Sequence, residues 1–297
     1  MYVLPFGQMS LWGKRKIGNL LNYNKNYSLY LLKSNSDKEF MSLFIGFMDG
    51  DGYFDIGEQK QYRKKTKELV NSTIRIRLAS NVHERDLPLF LYFNQKLGVG
   101  KISKMSGNRK QVRIIFSKKD LVDIIIPLMR KYNLSFLTSQ RIKQFEKVNY
   151  IISNSIIRWK DFNILKIKKH KNKSVTDLLN LDFFPSWLVG FTIAEGSFGF
   201  KRNKSAFYNI KQKGLINYSI IKAIGLLITG KVPNEVKPDS ADCYQLTLSS
   251  KSDIQKVVNF FSFNNHLLLG YKLKQYEIWL INIKKSSRYK DTNIPIK

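Results

Sequence analysis

Cysteine, histidine and acidic residues are the scarce components of this 297-residue chain. Cys243 is the only cysteine, so no disulfide can close within the chain. The histidines, His83, His170 and His266, are scattered. With a single thiol beside them they exclude the usual structural zinc cluster, and each reads as a surface or loop residue. No apolar run reaches the ~20 residues needed to cross a bilayer, so no membrane partner is expected. The stretch before Leu4 has too few basic residues for a secretory signal.

Positive charge is what the sequence has in excess. Against 22 Asp+Glu stand 51 Lys+Arg, a net charge of +29. Such a surplus repels itself in a compact chain, and a polyanion relieves it. Nucleic acid is the expected partner; acidic lipid headgroups, or a generic basic protein, are the other readings. Hydrophobic residues make up 43%, enough for a packed core and too many for a disordered chain. The length suits about two ordinary domains.

An internal repeat organises the chain. LFIGFMDGDGYF (43–54) matches WLVGFTIAEGSF (187–198). Further on, LGVGKIS (97–103) resembles ITGKVPN (228–234), and SKKDLVDII (117–125) resembles SKSDIQKVV (250–258). FLTSQRIKQFEKV (136–148) resembles LLLGYKLKQYEIW (267–279). Order is kept throughout, so each half reads as one folding unit of ordinary domain size. The expected division is a lead-in over 1–38, a first domain over 39–153, a basic linker over 154–181 containing KIKKHKNK, and a second domain over 182–297.

On a helix of 3.6 residues per turn, Leu43, Gly46, Phe47 and Gly50 share one face. Trp187, Gly190, Phe191 and Ala194 share the same face of the second copy. Small residues four apart let two backbones approach closely, the geometry of small-xxx-small pairs. Glycine inside a helix costs about 0.5–1 kcal/mol relative to alanine, so its repetition points to a contact that needs the room. Each segment ends in an acid followed by glycine, Asp51-Gly52 and Glu195-Gly196. The glycine suits a helix end, whereas an acid there opposes the helix dipole. If the helices pair about a pseudo-twofold axis, Asp51 and Glu195 meet at one end and repel unless a cation intervenes. A hard divalent ion, Mg²⁺ by preference, would resolve this.

FIGFMDGDG and LVGFTIAEG resemble the LAGLIDADG motif in register, with the eighth position acidic in both. The chain is thus similar to the two-motif, monomeric members of the LAGLIDADG homing endonuclease and maturase family, over most of residues 40–290. That resemblance implies an α+β fold of two pseudo-symmetric αββαββα halves, with antiparallel DNA-binding sheets and a central helix pair. It implies metal-dependent DNA hydrolysis, with Mg²⁺ (or Mn²⁺) on Asp51 and Glu195 and the carbonyls of Gly50 and Ala194 as added ligands. Two sites, one per strand, would give a staggered double-strand break. Similar enzymes place a lysine near each site. Lys272 matches that position, and its counterpart is Arg141, which cannot serve as a titrating acid or base. The motif's sixth position is Asp49 in one copy and Ile193 in the other. Asp49 therefore has no part in a symmetric mechanism and reads as a solvated or hydrogen-bonded surface acid.

Beyond each motif the period moves toward two. In TIRIRLAS (73–80), Ile74, Ile76 and Leu78 alternate with Arg75, Arg77 and Ala79, predicting a strand with one core face and one basic face. QVRIIFS (111–117), FGFKRN (198–203), AFYNIKQK (206–213) and CYQLTLSS (243–250) read likewise. Arg75, Arg77, Lys201, Arg202, Lys211 and Gln212 are the candidate DNA contacts, with an ordinary solvated strand face as the other reading of each. The loops KQYRKKTK (60–67) and KMSGNRK (104–110) suit phosphate positioning. Segments 119–131 and 251–263 are expected to be amphipathic helices behind the sheets.

Residues 2–13, YVLPFGQMSLWG, resemble a segment of mitochondrial cytochrome b. The likeness stops near Gly13, and 14–38 reads as a flexible lead-in. An in-frame run from a cytochrome b exon into an intron would produce this opening and implies a mitochondrial location. Two functions follow as expectations: a site-specific endonuclease that spreads its intron, and an RNA maturase that binds the intron RNA. A non-catalytic nucleic-acid-binding descendant is a third, against which the two intact acids argue.

Overall fold

The computed structural model describes residues 36–297, apart from 106–109, 168–172, 233–237, 240–241, 265 and 296–297. The cytochrome b-like opening, the centre of KMSGNRK, most of KIKKHKNK and His170 lie outside the described residues.

Helix α1 (Asp37–Gly50) begins with Asp37 and Glu39 in its first turn, where negative charge complements the helix dipole. Every residue from Phe40 to Asp49 is buried. A helix buried all round belongs at the centre of a protein, and α1 lies there. Its last residue leads directly into β1 (Gly52–Tyr62), which turns back as β2 (Leu69–His83). Helix α2 (Leu87–Leu97), β3 (Lys101–Lys104) and β4 (Gln111–Ser117) follow, giving an antiparallel sheet of order β1-β2-β4-β3. The helical run α3 (118–131) contains a π-helical turn at Leu121–Ile125, and α4 (Ser139–Ser153) closes the half. On β2, Ile74, Ile76 and Leu78 are buried, as the alternation predicts. They join Phe44, Phe47, Phe90, Phe93 and Phe116 in the first core. Each such side chain contributes roughly 1.5–3 kcal/mol through burial.

The linker is held to the first sheet: Ile74 donates its N–H to Ile157 (2.9 Å), beside a bridge between Thr73 and Arg158. Of β2, only Arg77–His83 pairs with β4, so these contacts occupy part of the edge that β4 leaves open. Helix α5 (Val175–Leu179) ends the linker, with a reciprocal cap between Ser174 and Asp177.

The second half repeats the plan. Helix α6 (Phe184–Glu195) leads into β5 (Ser197–Phe200) and β6 (Ala206–Lys213). Then come α7 (Tyr218–Thr229), β7 (Pro238–Asp239), β8 (Cys243–Leu248), α8 (Lys251–Val258) with a π-helical turn at Asn259–Phe263, and α9 (Gly270–Lys285). The sheet order is β5-β6-β8-β7, again antiparallel. The sequence repeat is legible in the caps. Gly98 and Gly230 end α2 and α7 at φ +70° and +68°, the left-handed geometry that glycine adopts freely. Ser117 and Ser250 accept from the N–H groups of Asp120 and Asp253. The fold is thus α+β, in two αββαββα halves, each followed by one further helix.

A candidate active site at the ends of the central helices

Helices α1 and α6 pack along their lengths, and the expected face is the interface. A Cβ built on Gly46 would lie 1.9 Å from the carbonyl oxygen of Trp187, and one on Gly190 would lie 1.8 Å from that of Leu43. A Cβ on Gly50 would fall 2.4 Å from the Cβ of Ala194. At these positions only hydrogen fits. The helices are therefore in close contact from Gly46 and Gly190 to their last turns, where Asp51 and Glu195 follow Gly50 and Ala194. Glu195 Oε1 lies 3.7 Å from the Cβ position of Gly50, so its carboxylate reaches across to the end of the opposite helix.

Asp51 opens to solvent at the mouth of a cleft, yet protein surrounds most of it. Burial first, and then the neighbouring Glu195, push its carboxyl up to about 7. Burial likewise raises Glu195, against the opposing pull of Lys211, Lys272 and Arg141. Both acids thus sit in surroundings that penalise negative charge. The cleft, of about 190 Å³, is lined by Asp51, Ala194, Asn81, His83, Asp86, Lys272 and Gln275, among others.

Lys272 stands where the sequence alignment sets it. Its Nζ donates to the carbonyl of Gly196 at 2.5 Å, just past the end of α6. Burial lowers its proton affinity, while Asp86 and Asp51 favour the charged form. Arg141 occupies the matching position in the first half with a more enclosed role. Its Nε donates to the carbonyl of Met48 at 2.9 Å and its Nη2 to that of Asp49 at 3.4 Å. Each cation therefore sits at the carboxyl end of its own half's central helix, where the dipole favours it.

Asp49 is not the surface acid expected from the sequence. It is 2% exposed. Its carboxylate accepts from the backbone N–H of Leu137 (2.8 Å) and of Thr138 (3.1 Å), from Thr138 Oγ1 (2.7 Å) and from Trp187 Nε1 (2.8 Å). These donors come from the loop before α4 and from α6, so Asp49 ties α1 to both. Burial nevertheless raises its carboxyl to about 6. The misreading has a clear source, because the indole that completes the site belongs to the other half.

The DNA-contact candidates fall into three groups. Arg77 is exposed on the polar face of the first sheet, and Lys211 is exposed on that of the second. Arg75 lies on the same face as Arg77 but is already engaged: its Nε and Nη2 donate to both carboxylate oxygens of Asp55, at 3.1 and 3.0 Å. Lys201 and Arg202 are not on a strand, because β5 ends at Phe200 and they belong to the β5–β6 turn. Lys201 Nζ is bonded to Ser249 Oγ at 3.0 Å. Gln212 follows Lys211 directly, and neighbours on a strand point to opposite faces. It therefore shares the side of the buried Tyr208 and Ile210. The polar faces also hold residues that the sequence did not single out. Arg113 donates through Nε to Asn81 Oδ1 at 2.7 Å. Asn209 and Gln245 both donate to Thr247 Oγ1, at 2.9 and 3.1 Å. Lys211, named for DNA alone, also acts on Glu195 through its charge.

Comparison with known proteins fits this geometry. Residues 44–152 match the family model described as LAGLIDADG endonuclease. Among solved structures, the I-LtrWI LAGLIDADG homing endonuclease bound to target DNA aligns with a TM-score of 0.64 and 19% identity, over 86% of this chain and 95% of that one. The LAGLIDADG meganuclease I-CpaMI bound to uncleaved DNA gives 0.63 and 18%, over 84% and 93%. I-SmaMI bound to uncleaved DNA target in the presence of calcium ions gives 0.61 and 20%, over 84% and 92%. The first half of the chain thus carries the LAGLIDADG endonuclease signature, and over 84–86% of its length the chain has the fold of the LAGLIDADG homing endonucleases.

Proposed function

We propose that this chain is a site-specific DNA endonuclease that hydrolyses a phosphodiester in each strand of a duplex, using a divalent ion at Asp51 and Glu195. The observation that carries this reading is the meeting of the two acids at the closely packed ends of α1 and α6. Each is raised in proton affinity by burial, and cations flank both. Among the described residues no group of three His, Cys, Asp or Glu could hold a metal. The protein would therefore supply two carboxylates, with the Gly50 and Ala194 carbonyls from the unsatisfied ends of the helices. Water and phosphate oxygens would complete the shell. This donor set suits Mg²⁺ or Mn²⁺, hard ions that keep water ligands. When bound, the ion would polarise the scissile phosphate, activate a water and stabilise the departing 3′ oxygen.

The chain's own residues do the rest. Asp51 and Glu195 would provide the negative charge that holds the ion. Lys272 and Lys211 bring positive charge to the developing phosphorane charge. Arg141 holds the end of α1, so the two half-sites differ and the strands are cut at unequal rates. Arg77 and Lys211, on the polar faces of the two sheets, lie against the duplex and contact bases or phosphates. Both halves lie in one chain, which suits a monomer on an asymmetric site.

The cytochrome b-like opening extends the proposal to homing of a mitochondrial intron. The target would then be intron-less cytochrome b DNA near the codons for GQMSLWG, because an inserted intron interrupts that site. A cleavage assay on a duplex spanning the uninterrupted junction, with a randomised duplex library beside it, tests this. Cutting near those codons supports the homing reading. Cutting elsewhere alone breaks the link between opening and target, and no cutting of any duplex rejects the nuclease. The same opening suits a maturase, which would use the same basic faces on intron RNA without needing the acids. No effect of the protein on splicing of the host intron would reject that activity.

A further inference from the structure

Asp86 and Asn217 occupy the same place in the two halves. Each is the last residue of a 3₁₀ turn, Glu84–Asp86 and Leu215–Asn217, and each precedes a helix, α2 or α7. Aspartate and asparagine at that position ordinarily cap the helix that follows. Neither does so here: neither side chain bonds its own helix. Both instead cross to the other half. Asp86 Oδ1 accepts from the backbone N–H of Tyr271 at 2.8 Å, and Asn217 Oδ1 accepts from that of Ser139 at 2.9 Å. Ser139 opens α4 and Tyr271 lies at the start of α9, the closing helices of the first and second halves. A helix leaves its first N–H groups without internal partners, and here the opposite half supplies an acceptor to each.

The surroundings of each contact are built for it. Gly270 sits at φ +63°, and a Cβ there would lie 2.9 Å from Asp86 Oδ1. Glycine is what lets the chain enter α9 against that carboxylate. The Arg85 guanidinium covers the Tyr271 ring at 3.7 Å. On the other side, Asn217 is buried and its Nδ2 donates to the Lys213 carbonyl at 2.7 Å, which fixes the amide with its oxygen toward α4. Lys272 directly follows Tyr271, and Arg141 lies two residues beyond Ser139.

We propose that Asp86 and Asn217 are reciprocal positioning residues: each half fixes the first turn of the other half's closing helix and thereby sets Lys272 and Arg141 at the acid pair. The catalytic part of this inference rests on the nuclease reading above. Because the caps cross, each half-site depends on a residue of the other half. Loss of one cap should therefore bias the two strand cuts rather than slow both.

The test combines residue-resolved hydrogen exchange with strand-resolved nicking of a duplex that the unaltered protein cuts, selected from a randomised library. Asp86→Ala should speed amide exchange at Tyr271 by about tenfold, the size of a lost cap, and leave Ser139 unchanged. Asn217→Ala should do the reverse. Each should slow one strand by about tenfold relative to the other, with opposite strands affected. Asp86→Asn keeps the acceptor and should bring the strand ratio back to within about threefold. Unchanged exchange at Tyr271, or equal slowing of both strands by Asp86→Ala, would overturn the proposal. If Asn217→Ala does not fold, the partly exposed Asp86 decides alone. If the unaltered protein cuts no duplex, the nuclease reading fails, and the exchange result still decides whether the caps hold the helices.

Discussion

The carbonyl oxygen of Trp187 occupies the space in which a side chain on Gly46 would begin, 1.9 Å from the Cβ position. The obstacle is backbone in the middle of a buried helix, so no rotamer change relieves it. Gly46→Ala and Gly190→Ala should each cost at least about 3 kcal/mol of unfolding free energy, above the usual range for overpacking. Urea denaturation measures this. A cost below about 1 kcal/mol would mean that the helices have room to separate.

Asp49 gives a pH dependence with a definite sign. Burial raises its carboxyl from 3.8 to about 6, so the folded state holds the proton more tightly than the unfolded chain. Its contribution to stability is fully present below pH 3.8 and is lost as pH rises through about 6. At 1.36 kcal/mol per unit the change is on the order of 3 kcal/mol. Asp49→Asn does not titrate. Unfolding free energies of the two proteins, compared at intervals from pH 4 to 7, should show the unaltered chain losing stability relative to the variant. A difference that stays flat, or grows with pH, contradicts this account.

Much of this site can be read in the sequence, and each exception has a physical cause. The glycine faces at Gly46 and Gly190, the acids Asp51 and Glu195, and the bounds of β4 and β6 all follow from short-range spacing. Lys272 follows from the family resemblance, and Arg141 from its place in the repeat. What escaped depends on the other half or on strand parity. Asp49 looks solvated until Trp187 arrives from α6. Asp86 and Asn217 look like ordinary helix caps until their donors, Tyr271 and Ser139, are followed across the interface. Lys201 and Arg202 continue the run FGFKRN past Phe200, so a strand over 198–203 reads through the turn that ends β5. Gln212 could have been excluded beforehand, since it cannot share a face with Lys211.

Lys272 and Arg141 should separate when replaced. Lys272 makes one bond, to the Gly196 carbonyl, and Lys272→Ala should cost only about 1 kcal/mol of stability. Its effect should appear in cleavage, reduced by about a hundredfold on one strand, with DNA binding kept. Arg141→Ala leaves the buried Met48 and Asp49 carbonyls at the end of α1 without their charged donor and should cost about 1.5–3 kcal/mol. Thermal unfolding paired with strand-resolved cleavage checks both. The reverse pattern, with Lys272 structural and Arg141 dispensable to folding, would be decisive against these roles.

Arg77 and Lys211, exposed on the polar sheet faces, should each appear in the salt dependence of DNA binding. Replacing either by alanine should lower the slope of log affinity against log salt by about 1 if it contacts phosphate. A base contact would instead relax sequence preference at one position by about 1–3 kcal/mol. Arg75, clamped by Asp55, should give a smaller effect than Arg77. Equal effects for Arg75 and Arg77 would mean that the clamp opens on binding.

The role proposed for Asp51 and Glu195 is to hold the ion for DNA cleavage. Its most direct test is the Mg²⁺-dependent cleavage rate of the Asp51→Asn, Glu195→Gln double variant on a duplex the unaltered protein cuts, with binding measured alongside. Cleavage should fall by at least about a thousandfold while affinity stays within about threefold. Undiminished cutting by a variant that binds normally would place the chemistry elsewhere.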